Sequence, residues 1–541
     1  MNRTKHKLTA ALLCALMILS GCGTQRATED SSDTGTASSE HMTDSTTSTI
    51  HTANLFSDRD LAGTYDKSAA IAIQLDGDSA SCASDSVIID GSTVTIAAEG
   101  VYLLSGSLTD GQIIVNAGEA DKVQLVLAGA DITSSTSAAI YALEADKVFV
   151  TLAEETENTL ANGGEYAAVD DNNIDAVIFA KTDLTLNGSG SLTINAQAGH
   201  GVVSKDDLVI TGGSYTITAA SHGLSGKDSV SIADGTFAIT SDKDGIHAEN
   251  ADDLSLGTIY IADGSYTIDA QGDAISAQGP LQIDGGIFDL HTGEGSASVE
   301  MSDETQFSPM DGGPRGNSTA APTDIAAPES EETSVSQKGI KGESTYRIND
   351  GVFTIDSVDD CLHSGKEMTL MAGEFTLSSG DDAIHCDDAL TIQSGTFTIP
   401  YCYEGIEGLS ITLESGTFDI VSNDDGLNAA GGVDGSGFGG FGGRSQGSFT
   451  TDSDSFITIN GGTLTIVSSG DCIDSNGALT INSGTLALTC NGSGNTALDC
   501  DGSYTHNGGD ITTNDGSENN PGQMGGGKPG SRQPGDAPAI F

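Results

Sequence analysis

Ten positions in this 541-residue chain carry an ionisable or polar-basic side chain directly before a Gly, Ala or Cys in a recurring marker: His200, His222, Asp244, Asp273, Lys338, Asp360, Asp382, Glu404, Asp425 and Asp471. Asp359, Asp381 and Asp424 double the acid at three of them. If successive markers stack about 4.8 Å apart, as neighbouring strands do, carboxylates on adjacent markers can share a Ca²⁺, which takes oxygens at about 2.3 to 2.6 Å. The doubled pairs 359/360, 381/382 and 424/425 point to calcium on this ground. A single Asp is explained as readily by an Asx turn before a strand. Left unbridged, the acids at 360, 382, 404 and 425 would repel one another and their pKa values would rise.

Three residues after the column lies a second series, with His247, His363, His385, Glu407, Asn428 and Asp474, expected to face outward. His363 and His385 fall one marker apart. A transition-metal site needs three or four convergent ligands, and the spacing shows none, so a solvated or hydrogen-bonding histidine ladder is expected. No HExxH or phosphate-binding loop occurs. Lys338 is the lone cation of the column, either a charge partner for nearby Asp residues or the one basic catalyst available.

The elements that hold these residues repeat. A Gly followed two residues later by an aromatic or Leu recurs at Gly213, Gly235, Gly264, Gly286, Gly351, Gly373, Gly395, Gly416, Gly462 and Gly484, with an underlying spacing of 22. Between markers lie three short alternating segments, for example AIHC, LTI and FTI within 381–399. Alternation over three to five residues is a strand signal, and no i, i+3, i+4 helical pattern is present. Three strands per 22 residues, each too short to fold alone, describe one rung of a parallel β-helix whose core fills by stacking. The long gaps coincide with Gly-, Pro-, Ser- and acid-rich stretches near 291–336 and 431–455, read as loops thrown out between turns. Looser repeats begin earlier, in VTIAAEGVYLLSG and in DKVQLVLAGADI from 121.

Residues 1–22 combine Arg3, Lys5 and Lys7 with an apolar run from Leu8 to Leu19 and end Leu-Ser-Gly-Cys, too short to span a bilayer and right for a signal peptide. The ending resembles a bacterial lipoprotein signal, which implies lipidation of Cys22, export and anchoring to the membrane through lipid alone, at the cell surface. Residues 23–60, rich in Ser and Thr, read as a tether, 61–513 as the coil, and 514–541 as a Gly/Pro-rich disordered tail. With Cys14 in the signal and Cys22 lipidated, Cys82, Cys361, Cys386, Cys402, Cys472, Cys490 and Cys500 remain, an odd set without CxxC spacing and so neither a disulfide framework nor a zinc site. They are expected to be small buried hydrophobes. A formal net charge of −58 excludes a nucleic-acid surface.

From about Ile71 to Asp499 the chain resembles a family of bacterial exported carbohydrate-binding β-helix domains, often lipoproteins, similar in fold to pectate lyases. The resemblance rests on GVYLLSGSLTDGQIIVNAGEADKVQLVLAGADI, on DKVFVTLAEETENTL with KTDLTLNGSGSLTI, and on the DDAIH-type rungs. It implies an all-β, right-handed parallel β-helix, bound calcium, and attachment to plant-type polysaccharides such as polygalacturonate or cellulose. Carried residue by residue, the calcium role falls on Asp244, Asp273, Asp359, Asp360, Asp381, Asp382, Asp424, Asp425 and Asp471. His200, His222 and Tyr403-Glu404 depart from the motif, so loading is not expected to be uniform.

Cellulose recognition commonly uses a row of exposed aromatic rings, and this chain has no Trp. An acidic polymer bridged by calcium is favoured. The expectation is a monomeric, noncatalytic polysaccharide-binding surface protein. The alternatives are a calcium-assisted pectate lyase, with neutral Lys338 abstracting the proton beside a uronate carboxylate, and an adhesin or structural coil without a sugar ligand.

Overall fold

In a computed structural model of the chain, residues 50–521 are described, apart from 165, 168–171, 302–334 and 431–453. The signal segment, Cys22, most of the tether, the greater part of both insertions and the end of the tail lie outside the described residues.

The alternating segments are strands, and they stack in parallel. Segments 214–219, 236–241 and 265–270 bury every second residue, as expected where β-branched and aromatic side chains point inward between Thr and Ser. Equivalent positions pair in register: Tyr215 with Phe237, Phe237 with Tyr266, Tyr266 with Phe288, then Phe288 with Phe353 across the first insertion. Phe418 pairs with Leu464 across the second. Each insertion therefore leaves the ladder unbroken. Two further ladders run beside this one, through Val202, Leu224, Ile246 and Ile275 and through Leu208, Val230, Ile259 and Leu281. The molecule is all-β, a coil of parallel strands closed around a main hydrophobic interior, with a smaller cluster around Tyr141, Phe179 and Val203.

The Gly-x-aromatic motif has a steric reason. The rings from Tyr215 to Phe418 form a continuous stack with centroids 4.6 to 5.3 Å apart, and each ring folds back over the Gly two residues before it. Gly373 has φ +124°, and a Cβ there would lie 2.9 Å from Phe375 Cε2. A side chain at that position would be strained and would push the ring out of the stack.

Three features depart from the sequence reading. The first described strands include antiparallel pairs, Ile71–Gly77 with Ala80–Cys82 and Val87–Asp90 with Thr93–Ile96, so the coil opens on hairpins. The stretch assigned to a tether ends in a short helix, Asp58–Ala62, closed by a Ser57/Asp60 capping box. Asp60 is buried against the coil, accepting from Thr185 at 2.6 Å and pairing with Lys147 at 2.9 Å. At the other end Asp515 accepts the Ala497 N–H at 2.9 Å, so the packed chain extends past 513. All seven remaining cysteines are free, five of them buried and Cys82 and Cys500 half-buried. Burial pushes the Cys386 and Cys472 thiols up to about 12, which leaves them unreactive.

Candidate functional site

All ten column residues fall in one file. The N–H following each of His200 to Asp425 donates to the carbonyl of the next column member at 2.8 to 3.1 Å, from Gly201 to His222 through Gly426 to Asp471. The sequence passed over Asp175 beside this file, whose carbonyl accepts the His200 N–H at 2.7 Å.

Column side chains also act along the file. His200 Nδ1 accepts the His222 N–H and His222 Nδ1 the Asp244 N–H, each at 3.2 Å. Asp244 Oδ1 accepts the Asp273 N–H at 2.9 Å, Asp273 Oδ1 the Lys338 N–H at 2.8 Å, Asp360 Oδ1 the Asp382 N–H at 3.2 Å, and Asp425 Oδ1 the Asp471 N–H at 2.6 Å. Each acceptor serves the rung ahead, whereas the expected Asx turn would serve its own. This explains why His and Asp interchange: either offers an acceptor to a withdrawn N–H. Lys338 offers none, and there Asp359 Oδ1 takes the Asp360 N–H at 3.0 Å instead. The first doubled acid thus replaces the acceptor that Lys338 lacks. Burial, followed by the neighbouring His222, lowers His200 to about 3, which keeps its Nδ1 an acceptor.

The second series does not project into solvent. His363, His385 and Asn428 are buried because they turn back onto the column. His247 Nδ1 lies 2.7 Å from Asp244 Oδ2, His363 Nδ1 2.8 Å from Asp360 Oδ2, and His385 Nδ1 3.1 Å from Asp382 Oδ2 and 2.8 Å from Glu407 Oε2. The hydrogen-bonding half of the expected ladder is present and the solvated half is not. The spacing also failed to reveal convergence: His222, Asp244 and His247 meet, as do Asp382, His385 and Glu407. The signal was the Asp-x-x-His interval, which on a strand after a turn brings the ring back beside the carboxylate.

Charge along the file is unequal. Burial opposes ionisation of Asp244, but the adjacent His222 and His247 rings, 3.3 and 2.7 Å from its Oδ2, outweigh it and hold the carboxyl below its ordinary range. Asp360 is likewise held low, by Lys338 and then His363 against burial. Asp359, Asp360 and Asp381 converge, yet Lys338 Nζ already lies 2.7 Å from Asp359 Oδ1 and 2.9 Å from Asp360 Oδ2. Asp273 is raised by burial and then by Asp244.

Beyond Asp382 the acids crowd together. Glu404 and Asp425 are held well above the carboxylate range by burial and then by neighbouring carboxylates, chiefly Glu407 for the first and Glu404 for the second. Asp424 is raised by burial, Asp471 is pushed to about 7, and Asp474 to about 6. Asp471, Asp474 and Asp499 converge as well. Asn428 donates to Glu404 Oε2 at 2.9 Å, while its own Oδ1 is buried without a donor. Hard oxygen ligands, excess negative charge and an orphaned amide oxygen fit an oxygen-seeking divalent cation such as Ca²⁺. The Asp244 and Asp360 rungs, already neutralised by His and Lys, fit it less well.

A model of the carbohydrate-binding domain-containing protein family matches residues 90–383 and 380–520. The chain belongs to that family. A carbohydrate-binding domain-containing protein of Acetivibrio thermocellus is 39% identical over 137 residues, which make up 25% of this chain and 48% of that protein. The match thus spans about half the length of that relative. A solved structure described as the polysaccharide lyase-like protein from C. thermocellum, gadolinium derivative, is 36% identical, with a TM-score of 0.38 over 40% of this chain and 87% of that one.

Proposed function

We propose that this is a noncatalytic polysaccharide-binding protein, exported and lipid-anchored through Cys22 at the cell surface, which holds an acidic plant-type polymer such as polygalacturonate along the coil in a calcium-dependent manner. The chain acts as a monomer. Its 61–513 region is read as a right-handed parallel β-helix of three strands and about 22 residues per rung, a reading supported by pairings such as Ser214 with Thr236.

The carrying observation is the acid-rich end of the file, where Glu404, Asp425 and Asp471 keep raised pKa values beside the unpartnered Asn428 Oδ1. On this reading Asp381, Asp382, Glu404, Asp424, Asp425 and Asp471 hold the calcium. Bound Ca²⁺ supplies the charge that lets protein and sugar carboxylates sit side by side. The parallel backbone holds these acids at the strand repeat of about 4.8 Å, and Asn428 fixes the Glu404 carboxylate.

The lyase reading needs Lys338 without its proton. Two carboxylates at ion-pair distance stabilise the ammonium form, which favours binding over catalysis. Electrophoresis of the mature chain through gels cast with polygalacturonate, with calcium or chelator, tests the reading. Calcium-dependent retardation without cleared zones is expected. Absence of retardation, or clearing of the polymer, would refute it.

A further inference from the structure

The same file changes character towards its start. The positions occupied by Glu407, Asn428 and Asp474 at the acidic end are Ser225, His247, Ser276 and Lys341 earlier, paired in register. Over this stretch lie two adjoining cavities of 560 and 360 Å³ that share His247 and Glu249 as a common wall. Both volumes fall within the range of about 300 to 1,000 Å³ usual for small-ligand sites.

Cations gather there. Lys341 and Lys366 line the larger cavity, Lys205 and Lys227 the smaller, against Glu249, Asp252 and Glu343. The chain as a whole carries a formal charge of −58. Lys227 pairs with Asp252 at 2.7 Å, but the Asp252 side chain is 82% exposed, so a ligand carboxylate can replace it at little cost. Lys341 pairs with Glu343 at 2.8 Å. Lys366 is exposed, and no carboxylate among the described residues lies within ion-pair distance of it.

One wall is a segment that the coil does not need. The interval from Gly235 to Gly264 is 29 residues instead of 22, and the excess forms the loop over 249–257. Buried Asn250 locks it, donating to Asp228 Oδ1 at 2.6 Å, accepting the Asp252 and Asp253 N–H groups at 3.0 Å, and sending its own N–H to Gln278 Oε1 at 2.8 Å. This fixed loop lifts Leu254 to the rim of the larger cavity, where it is 70% exposed. Leu254, the Lys341 and Lys366 ammonium groups and the Ser276 hydroxyl in the larger cavity, with Ser225 in the smaller, match the apolar face, the carboxylate and the hydroxyls of a uronate unit.

Resting on the reading that the protein binds an acidic polysaccharide, we propose that these joined cavities are a second glycan subsite, which takes uronate units directly on Lys341 and Lys366 without a metal ion. A polymer lying along the file would then meet ammonium groups over the rungs before Asp382 and calcium-bridged carboxylates over those after it.

Calorimetric titration of the full chain with a galacturonate hexamer, in chelator at low salt, isolates this subsite. The wild type is expected to bind, and Lys341→Ala/Lys366→Ala to bind at least tenfold more weakly. Lys341→Arg/Lys366→Arg should retain binding, and Leu254→Ser should weaken it. Unaltered affinity in the double alanine variant, with its melting curve intact, would overturn the subsite. Equal affinity for the uncharged galactose hexamer would overturn its preference for uronate. No hexamer binding in chelator, alongside calcium-dependent retardation of the polymer, would end this proposal and leave the calcium reading standing. Lysine-dependent binding without any calcium effect would do the reverse.

Discussion

Lys338 Nζ lies 2.9 Å from Asp360 Oδ2, and the Asp360 side chain is fully buried. Two acids and one ammonium thus meet inside the file, and the second oxygen of the pair, from Asp359, stands at 2.7 Å. Removing one partner of a buried pair leaves an uncompensated charge at a cost of about 3 to 5 kcal/mol. Lys338→Met is therefore expected to lower unfolding free energy by about 3 kcal/mol in chemical denaturation. Polygalacturonate binding should survive below the shifted midpoint. A change under about 1 kcal/mol would show that the ammonium is not needed for charge balance.

Asp273 tests the acceptor role separately from charge. Its Oδ1 takes the Lys338 N–H at 2.8 Å and the Ser336 hydroxyl at 2.7 Å. Asp273→Asn keeps an acceptor, so its stability should stay close to wild type. Asp273→Leu strands a buried N–H, at about 1 to 3 kcal/mol. Equal losses in both variants would show that the negative charge, and not the hydrogen bond, is what the position requires.

The acid-rich rungs carry a pH signature. Burial raises Glu404 and Asp425 well above their ordinary values and pushes Asp471 to about 7. The folded chain then binds protons that the unfolded chain releases. The stabilisation from these groups is complete below about pH 4 and is lost at higher pH, for Asp471 as pH rises through about 7. In chelator, the thermal midpoint should fall between about pH 5 and pH 8, and calcium should restore it at the higher pH only. Glu404→Gln/Asp425→Asn should flatten both effects. An undiminished calcium shift in that variant would place the ion elsewhere.

Phe353 stacks between Phe288 and Phe375, with centroids 4.7 and 4.8 Å away. Phe353→Ala opens a cavity in a file with no slack, at about 3 to 5 kcal/mol. Phe353→Leu should cost much less, because Leu464 and Leu486 fill the same position further along. Comparable losses from both substitutions would mean that ring stacking contributes more than volume.

Reductant offers a simple control on the cysteines. With Cys361, Cys386, Cys402, Cys472 and Cys490 buried and all seven free, dithiothreitol should leave the thermal midpoint unchanged. A drop on reduction would reveal a crosslink.

Much was legible in the sequence because a coil repeats its solution. One Gly-x-aromatic interval and one marker, both at a spacing of 22, were enough to anticipate the strands and the alignment of His200 to Asp471 in one file. A period of two fixes the face of each side chain, and a constant rung length brings like positions together. The helix Asp58–Ala62 escaped because a single turn carries no periodicity, and Asp60 looks like any tether acid until Thr185 and Lys147 surround it.

Direction and partnership within the file belonged to the tertiary structure alone. Nothing in the spacing tells that His222 Nδ1 serves the Asp244 N–H, that Asp359 substitutes for the acceptor missing at Lys338, or that His363 and His385 fold inward. Those contacts join residues about one rung apart, and their geometry depends on how each turn enters its strand. The equal-looking acids of the sequence became a balanced set around Asp244 and Asp360 and an unbalanced set from Glu404 onward for that reason. Sequence determines which groups share the file, while burial and neighbouring charge decide which of them can ionise without a cation.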